Sequence, residues 1–234
     1  MSTTARYGAQ DSSSPYSAAS PSGLSAGDDM YLAAAWLHAA PANSTTVTVP
    51  TGWNPVGRYD FTTGSWGGSA VESIALYQKP ATSGDIGASH SVTLSVTTTA
   101  AVRAFSVSGG YGLDAGSIVT TGRANGAGGT TWTPAAPAGS GFARGFLLSF
   151  WPGVGGGAGG FQSGGSNGWV AGDSGFLPLA IFSIGDTTRP MTPPVLNDGS
   201  GATHRFALAF AIKAVPTSPK HWGYNLSFGQ RSGL

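Results

Sequence analysis

Ser174, His38 and Asp85 are the residues of this chain whose types and order could do nucleophilic chemistry. Ser174 stands in Gly172-Asp173-Ser174-Gly175, a turn of small residues that would expose a hydroxyl. His38 and Asp85 precede it, in the order His, Asp, Ser. A serine nucleophile needs an imidazole to take its proton and a carboxylate to hold that imidazole in the right tautomer. A second set is Asp60 and Glu72, which could flank one hairpin; a glycosidase needs two such carboxylates facing one cleft. A third is Trp53, Trp66, Trp132 and Trp169, all near turns. An exposed indole there could stack on the C–H face of a sugar ring.

Each set has a plainer reading. The loop around Ser174 resembles the nucleophile loop of chymotrypsin-like serine proteases but departs from it in three ways. His38 follows Ala35-Trp36-Leu37 rather than small residues. Phe176 follows Gly175, where that family has another glycine. The processed N-terminus of the family has no counterpart. In a chain with 38 glycines, such a tetrapeptide reads better as a turn before a strand at 176–184. No motif fixes Asp60 and Glu72 toward one cleft. His38, His90, His204 and His221 are scattered without metal-ligand spacing. Asp28-Asp29 has no EF-hand pattern around it and reads as a turn opening a strand. The glycine runs lack the strand–Lys–helix context of a phosphate cradle. The expectation is a protein that is not an enzyme, with no cofactor and no metal. The four tryptophans read first as seals of a sandwich end or of a subunit interface, and second as glycan-stacking residues.

Composition narrows the partners. The 234 residues suit one large β domain or two small ones and can bury a core without staples. Only 9% are charged, against about 25% in an ordinary soluble domain. With 40% apolar residues the chain is not of disordered type, so its surface is expected to be Ser, Thr, Gly and Asn. The net charge of +1 with no basic cluster gives a nucleic-acid groove no support. The absence of cysteine excludes disulfides, thiolate-bound zinc and thiol catalysis. No apolar run of membrane-spanning length occurs, and the first residues have no apolar signal core. The expectation is synthesis in the cytoplasm of the producing cell, with no membrane partner.

The elements that must carry these residues read as β. Strands are predicted at 30–38, 45–49, 71–79, 90–98 and 101–108, then at 117–121, 130–133, 145–151, 176–184 and 204–214. Val92, Leu94 and Val96 alternate with polar residues, and Phe206, Leu208, Phe210 and Ile212 alternate with alanines. Glycine-rich breaks at 109–112, 125–129 and 153–168 separate the strands. No segment makes a convincing amphipathic helix.

Two stretches also read as variations on one pattern. Leu32–Trp36 matches Leu147–Trp151, Gly52-Trp53 matches Gly168-Trp169, Ala75–Tyr77 matches Ala180–Phe182, and Ala104-Phe105 matches Ala209-Phe210. The order is kept, at offsets of 105 to 116 residues. Either a duplicated half or common strand composition would produce this.

The ordered set Gly27-Asp28, Pro50-Thr51-Gly52-Trp53, Leu76-Tyr77, Val92–Val96 and Gly112-Leu113-Asp114 resembles a β-sandwich domain of minor tail proteins from long-tailed phages of actinobacteria. The resemblance covers roughly residues 24–215, and its second half fits less well, with Arg144-Gly145 at the strand start. It implies an all-β, jelly-roll-like antiparallel sandwich and a structural role in the virion, most naturally in the tail. A capsid decoration protein and a glycan-binding host-recognition module are the alternatives.

The expected organisation is an extended N-terminal arm over 1–23, a sandwich over 24–215 and an aromatic tail over 216–234. Tyr7 and Tyr16 on the arm, and Trp222, Tyr224 and Phe228 on the tail, are the expected interface residues. The expected partners are other virion proteins and further copies of the chain, with a host surface glycan as a further candidate.

Overall fold

A computed structural model describes residues 4–9, 15–39, 45–63, 70–95, 99–123, 131–150, 167–171, 179–187, 191–197 and 205–214. In chain order the strands are β1 (Ala5–Tyr7), β2 (Tyr16–Ala19), β3 (Asp29–Ala39), β4 (Val47–Thr48), β5 (Asn54–Thr63), β6 (Ala70–Pro80), β7 (Ser89–Leu94) and β8 (Ala100–Val107). There follow β9 (Tyr111–Arg123), β10 (Thr131–Trp132), β11 (Phe142–Phe150), β12 (Val170–Ala171), β13 (Leu179–Thr187), β14 (Leu196–Asn197) and β15 (Arg205–Ala214). A short 3-10 turn at Ser83–Asp85 follows β6. The expected all-β antiparallel sandwich is what the chain builds.

Two five-stranded sheets form the body, in the orders β1-β8-β3-β6-β5 and β12-β13-β11-β15-β9. The central strands β3 and β11 occupy the same place, β3 flanked by β6 and β8 and β11 by β13 and β15, with β5 and β12 at matching edges. The register agrees as well as the order. Leu32 lies opposite Ala104 and Tyr77, and Leu147 lies opposite Ala209 and Phe182. The two halves are therefore a structural repeat, as the motif order allowed. A one-residue slip would have turned every side chain to the other face, so matched register is a demanding test.

Alternation gives each main sheet two buried faces. The inward faces meet in one core containing Tyr31, Ile74, Leu76 and Phe105 from the first sheet and Phe146, Leu148, Ile181 and Phe210 from the second. Contacts of β8 with β13, β6 with β15 and β5 with β9 stack the sheets so that one is the other turned half a revolution about an axis along the strands. Ring geometry follows this symmetry. Tyr31 and Phe105 stack at 5.2 Å and 15°, and their counterparts Phe146 and Phe210 at 5.3 Å and 21°. Across the seam Tyr31 tilts 43° from Phe210, and Phe105 tilts 42° from Phe146.

The outward faces are covered by two smaller sheets, β2-β7-β4 in the first half and β10-β14 in the second. Beneath them lie separate apolar clusters, one holding Tyr16, Met30, Trp36 and Trp53, the other Trp132, Leu147, Trp169 and Met191. The Gly-Trp pairs explain themselves here. Gly52 and Gly168 have φ of +94° and +82°, a left-handed turn that glycine adopts without strain, and each drops the following indole into its cluster. Packing also compensates between halves. Gly145 replaces Met30, and a Cβ on it would meet Met191 Sδ at 2.2 Å, so Met191 fills the vacated volume.

The arm expected over 1–23 is corrected in its described part. Ala5–Tyr7 is an edge strand paired to β8, and Tyr16–Ala19 pairs with β7. Both are short and set among Ser and Pro, so they lack the run of alternation that marks a strand in sequence. The tail beyond Pro216 lies outside the described residues.

Candidate functional site

His38 and Asp85 lie at opposite ends of the first sheet. His38 pairs with Val71 on β6, whereas Asp85 lies just beyond Pro80 at the other end of that strand. Nine residues of strand separate the two ends by about 30 Å. Ser174 lies outside the described residues, but two of the three groups cannot meet.

What Asp85 does meet is a different group. Its carboxylate pairs with the Lys79 ammonium and accepts from the Thr82 N–H and hydroxyl, each at 2.8 Å. Lys79 lies 4.9 Å from the centre of the Trp53 ring, and His90 meets that ring edge-on at 5.3 Å. The Ser20 hydroxyl is 2.9 Å from His90 Nε2. Burial pushes the Asp85 carboxyl up, but Lys79 and Thr82 outweigh it and hold the carboxyl below its usual range. Burial, then the Lys79 charge, hold the His90 imidazole below its ordinary value against the pull of Asp85. Ser20 and Asp85 both approach Nε2, the carboxylate at 4.0 Å. A triad needs the carboxylate on Nδ1, so Asp85 does not orient this ring for catalysis. The group fastens the turn after β6 to the outer sheet. In the second half Ile184 takes the place of Lys79, 105 residues on, and Trp169 Nε1 donates to Thr192 O at 2.8 Å.

Asp60 and Glu72 sit on opposite faces of the β5–β6 hairpin. Phe61, not Asp60, is the partner of Glu72. Asp60 turns outward and accepts from Ser73 Oγ at 2.6 Å and Arg58 Nε at 3.0 Å, while Arg58 covers Trp36 at 5.0 Å. Glu72 turns inward and is fully buried. The two carboxylates do not face one cleft.

The candidate stacking tryptophans are mostly covered. Trp53, Trp132 and Trp169 are 7%, 8% and 2% exposed, so none offers a face to a sugar. They seal the outer layers, with Arg205 5.8 Å from the Trp132 ring. Trp66 lies outside the described residues. Tyr7 and Tyr16, expected at a subunit interface, are taken up by the sandwich itself. The Tyr7 hydroxyl donates to Ser183 Oγ of the opposite sheet at 2.7 Å, and its ring lies under Arg103 at 5.4 Å. Tyr16 is buried in the first outer cluster. Trp222, Tyr224 and Phe228 lie outside the described residues.

Asp28 is a turn anchor, as read from sequence: Arg6 pairs with it at 2.8 Å and the Ser25 N–H donates to it at 2.9 Å. Among the described residues no three His, Asp or Glu side chains gather where they could hold a metal. Among the same residues no helix is long and apolar enough to cross a membrane. The group around His90 and the buried state of Glu72 are what reading by motif missed. The signal for Glu72 was available, because parity with Ile74 and Leu76 puts it on the core face.

No protein-family model, curated protein or solved structure matches the chain.

Proposed function

We propose that this chain is a structural subunit of a phage particle, built into the tail and acting through contacts with other virion proteins and with copies of itself. The observation that carries the reading is where the residues of the ordered motif set lie. Gly27 and Gly52 make left-handed turns, Asp28 anchors the chain before β3, and Trp53, Leu76 and Val92 fill cores. Asp114 holds Lys213 across the β9–β15 edge at 2.7 Å. These residues are spent on a rigid doubled sandwich, which is what a subunit of a built shell requires. A surface poor in charge suits packing against neighbours, where about 1,600 Å² is buried in a stable contact. The tail residues Trp222, Tyr224 and Phe228 supply the aromatic side chains that such contacts favour.

The test is deletion of residues 217–234 together with immunogold labelling of particles. The truncated protein is expected to stay folded, since β15 ends at Ala214, and to lose its place in the particle or its oligomer. Gold on the tail supports the reading, and gold on the head would make the chain a decoration protein. Particles without label, or normal incorporation of the truncated chain, would remove the virion role or the arm, respectively.

A further inference from the structure

Glu72 is the only glutamate in the chain, and it is fully buried. It lies on the inward face of β6, between Leu37 of β3 and Phe61 of β5. Phe61 in turn stacks on Phe206 of the opposite sheet at 5.9 Å and 8°, and packs where a Cβ on Gly122 would stand. Neither carboxyl oxygen has a hydrogen-bond partner among the described residues. In sequence Leu177, outside the described residues, stands 105 residues on, the offset that separates Ala75 from Ala180. An apolar residue therefore suits the pattern, and the carboxyl is an addition of the first half.

Among the described residues its surroundings offer it no charge. The inward residues are Ala35 and Leu37 on β3, Tyr59 and Phe61 on β5, Ile74 on β6, Phe206 and Leu208 on β15, and Gly122 on β9. By the same alternation His38, Arg58, Asp60 and Arg205 belong to the opposite faces. Among the described residues Tyr59 is the one titratable neighbour, and its hydroxyl turns back over Gly57, where a Cβ would lie 2.6 Å from it. A carboxyl in such a place is tolerated only with its proton on. Burial lifts it to about 8.

We infer that Glu72 is a proton-held latch, around whose neutral carboxyl the two sheets close and whose ionisation admits water and parts them at the Phe61–Phe206 end. The sign follows from linkage. The folded group holds its proton more tightly than the unfolded one, so the closed state is firmest below the ordinary glutamate range. It loosens as pH rises toward the folded value and changes no further above it.

Because Glu72 is the sole glutamate, 13C-labelled glutamate gives a single carboxyl resonance. That resonance is expected to titrate with a midpoint near 8. Amide exchange in β5, β6 and β15, taken as a ratio to a Glu72→Leu variant to cancel intrinsic pH effects, should rise about tenfold per pH unit from roughly 5 and level off near the midpoint. Glu72→Gln should lack the rise as well. A midpoint in the ordinary carboxylate range, or a flat ratio, overturns the latch.

Discussion

The two indoles that follow the Gly-Trp turns are equivalent in position but not in bonding. Trp169 Nε1 donates to Thr192 O, whereas the buried Trp53 Nε1 has no partner among the described residues. Trp53 instead receives the Lys79 ammonium on its face. A net hydrogen bond is worth about 1 kcal/mol, and a carbonyl left without its donor costs more. Trp169→Phe is therefore expected to lower stability by about 1–2 kcal/mol more than Trp53→Phe. Urea melts of the two variants at one pH check this, and equal losses would mean that Thr192 O finds water instead. The same pair shows how a repeat diverges: the first half has taken on Lys79, Asp85 and His90 where the second keeps an apolar side chain at Ile184. Spacing in the sequence brought neither difference to light, because both depend on what stands above the ring.

At the scale of strands, the shared register makes a quantitative demand. Phe105 and Phe210 occupy equivalent places, pack on equivalent rings and are both fully buried. Replacing either by Ala should cost about 3–5 kcal/mol, with the two losses within roughly 1 kcal/mol of each other. Denaturation midpoints of the two variants measure it, and a large inequality would show that one sheet relaxes where the other cannot. Long strands with both faces buried were the easiest to read, β3 and β8 as nearly continuous apolar runs and β15 by its alternation of alanines with large residues. β5 escaped because Pro55 and Gly57 look like a turn and a register shift between them breaks the alternation. β1 and β2 escaped because three or four residues carry too little period. β9 was read as 117–121 yet runs from Tyr111 to Arg123, since an edge strand tolerates the Gly and Asp that suggest a loop. The candidate triad failed for a reason of the same scale. The length of β6 holds its two ends apart, so His38, paired at one end, cannot meet Asp85, which lies just beyond the other.

For the whole molecule, the seam between the sheets governs behaviour. Neither half can cover its inward face alone, because Tyr31, Leu76 and Phe105 lie against Phe146, Leu148 and Phe210 of the other. Unfolding is expected as one cooperative transition, with calorimetric and van't Hoff enthalpies in agreement. Two resolved transitions in a calorimeter would show that the halves are stable apart. The half-turn that relates the sheets has a further consequence, of counting. A half-turn repeated returns to its start, so the pair is closed: each inward face is used once and the stack admits no third unit. What the chain turns to its surroundings is then two unlike covered faces pointing away from each other, the Lys79-bearing one under β2-β7-β4 and the Ile184-bearing one under β10-β14.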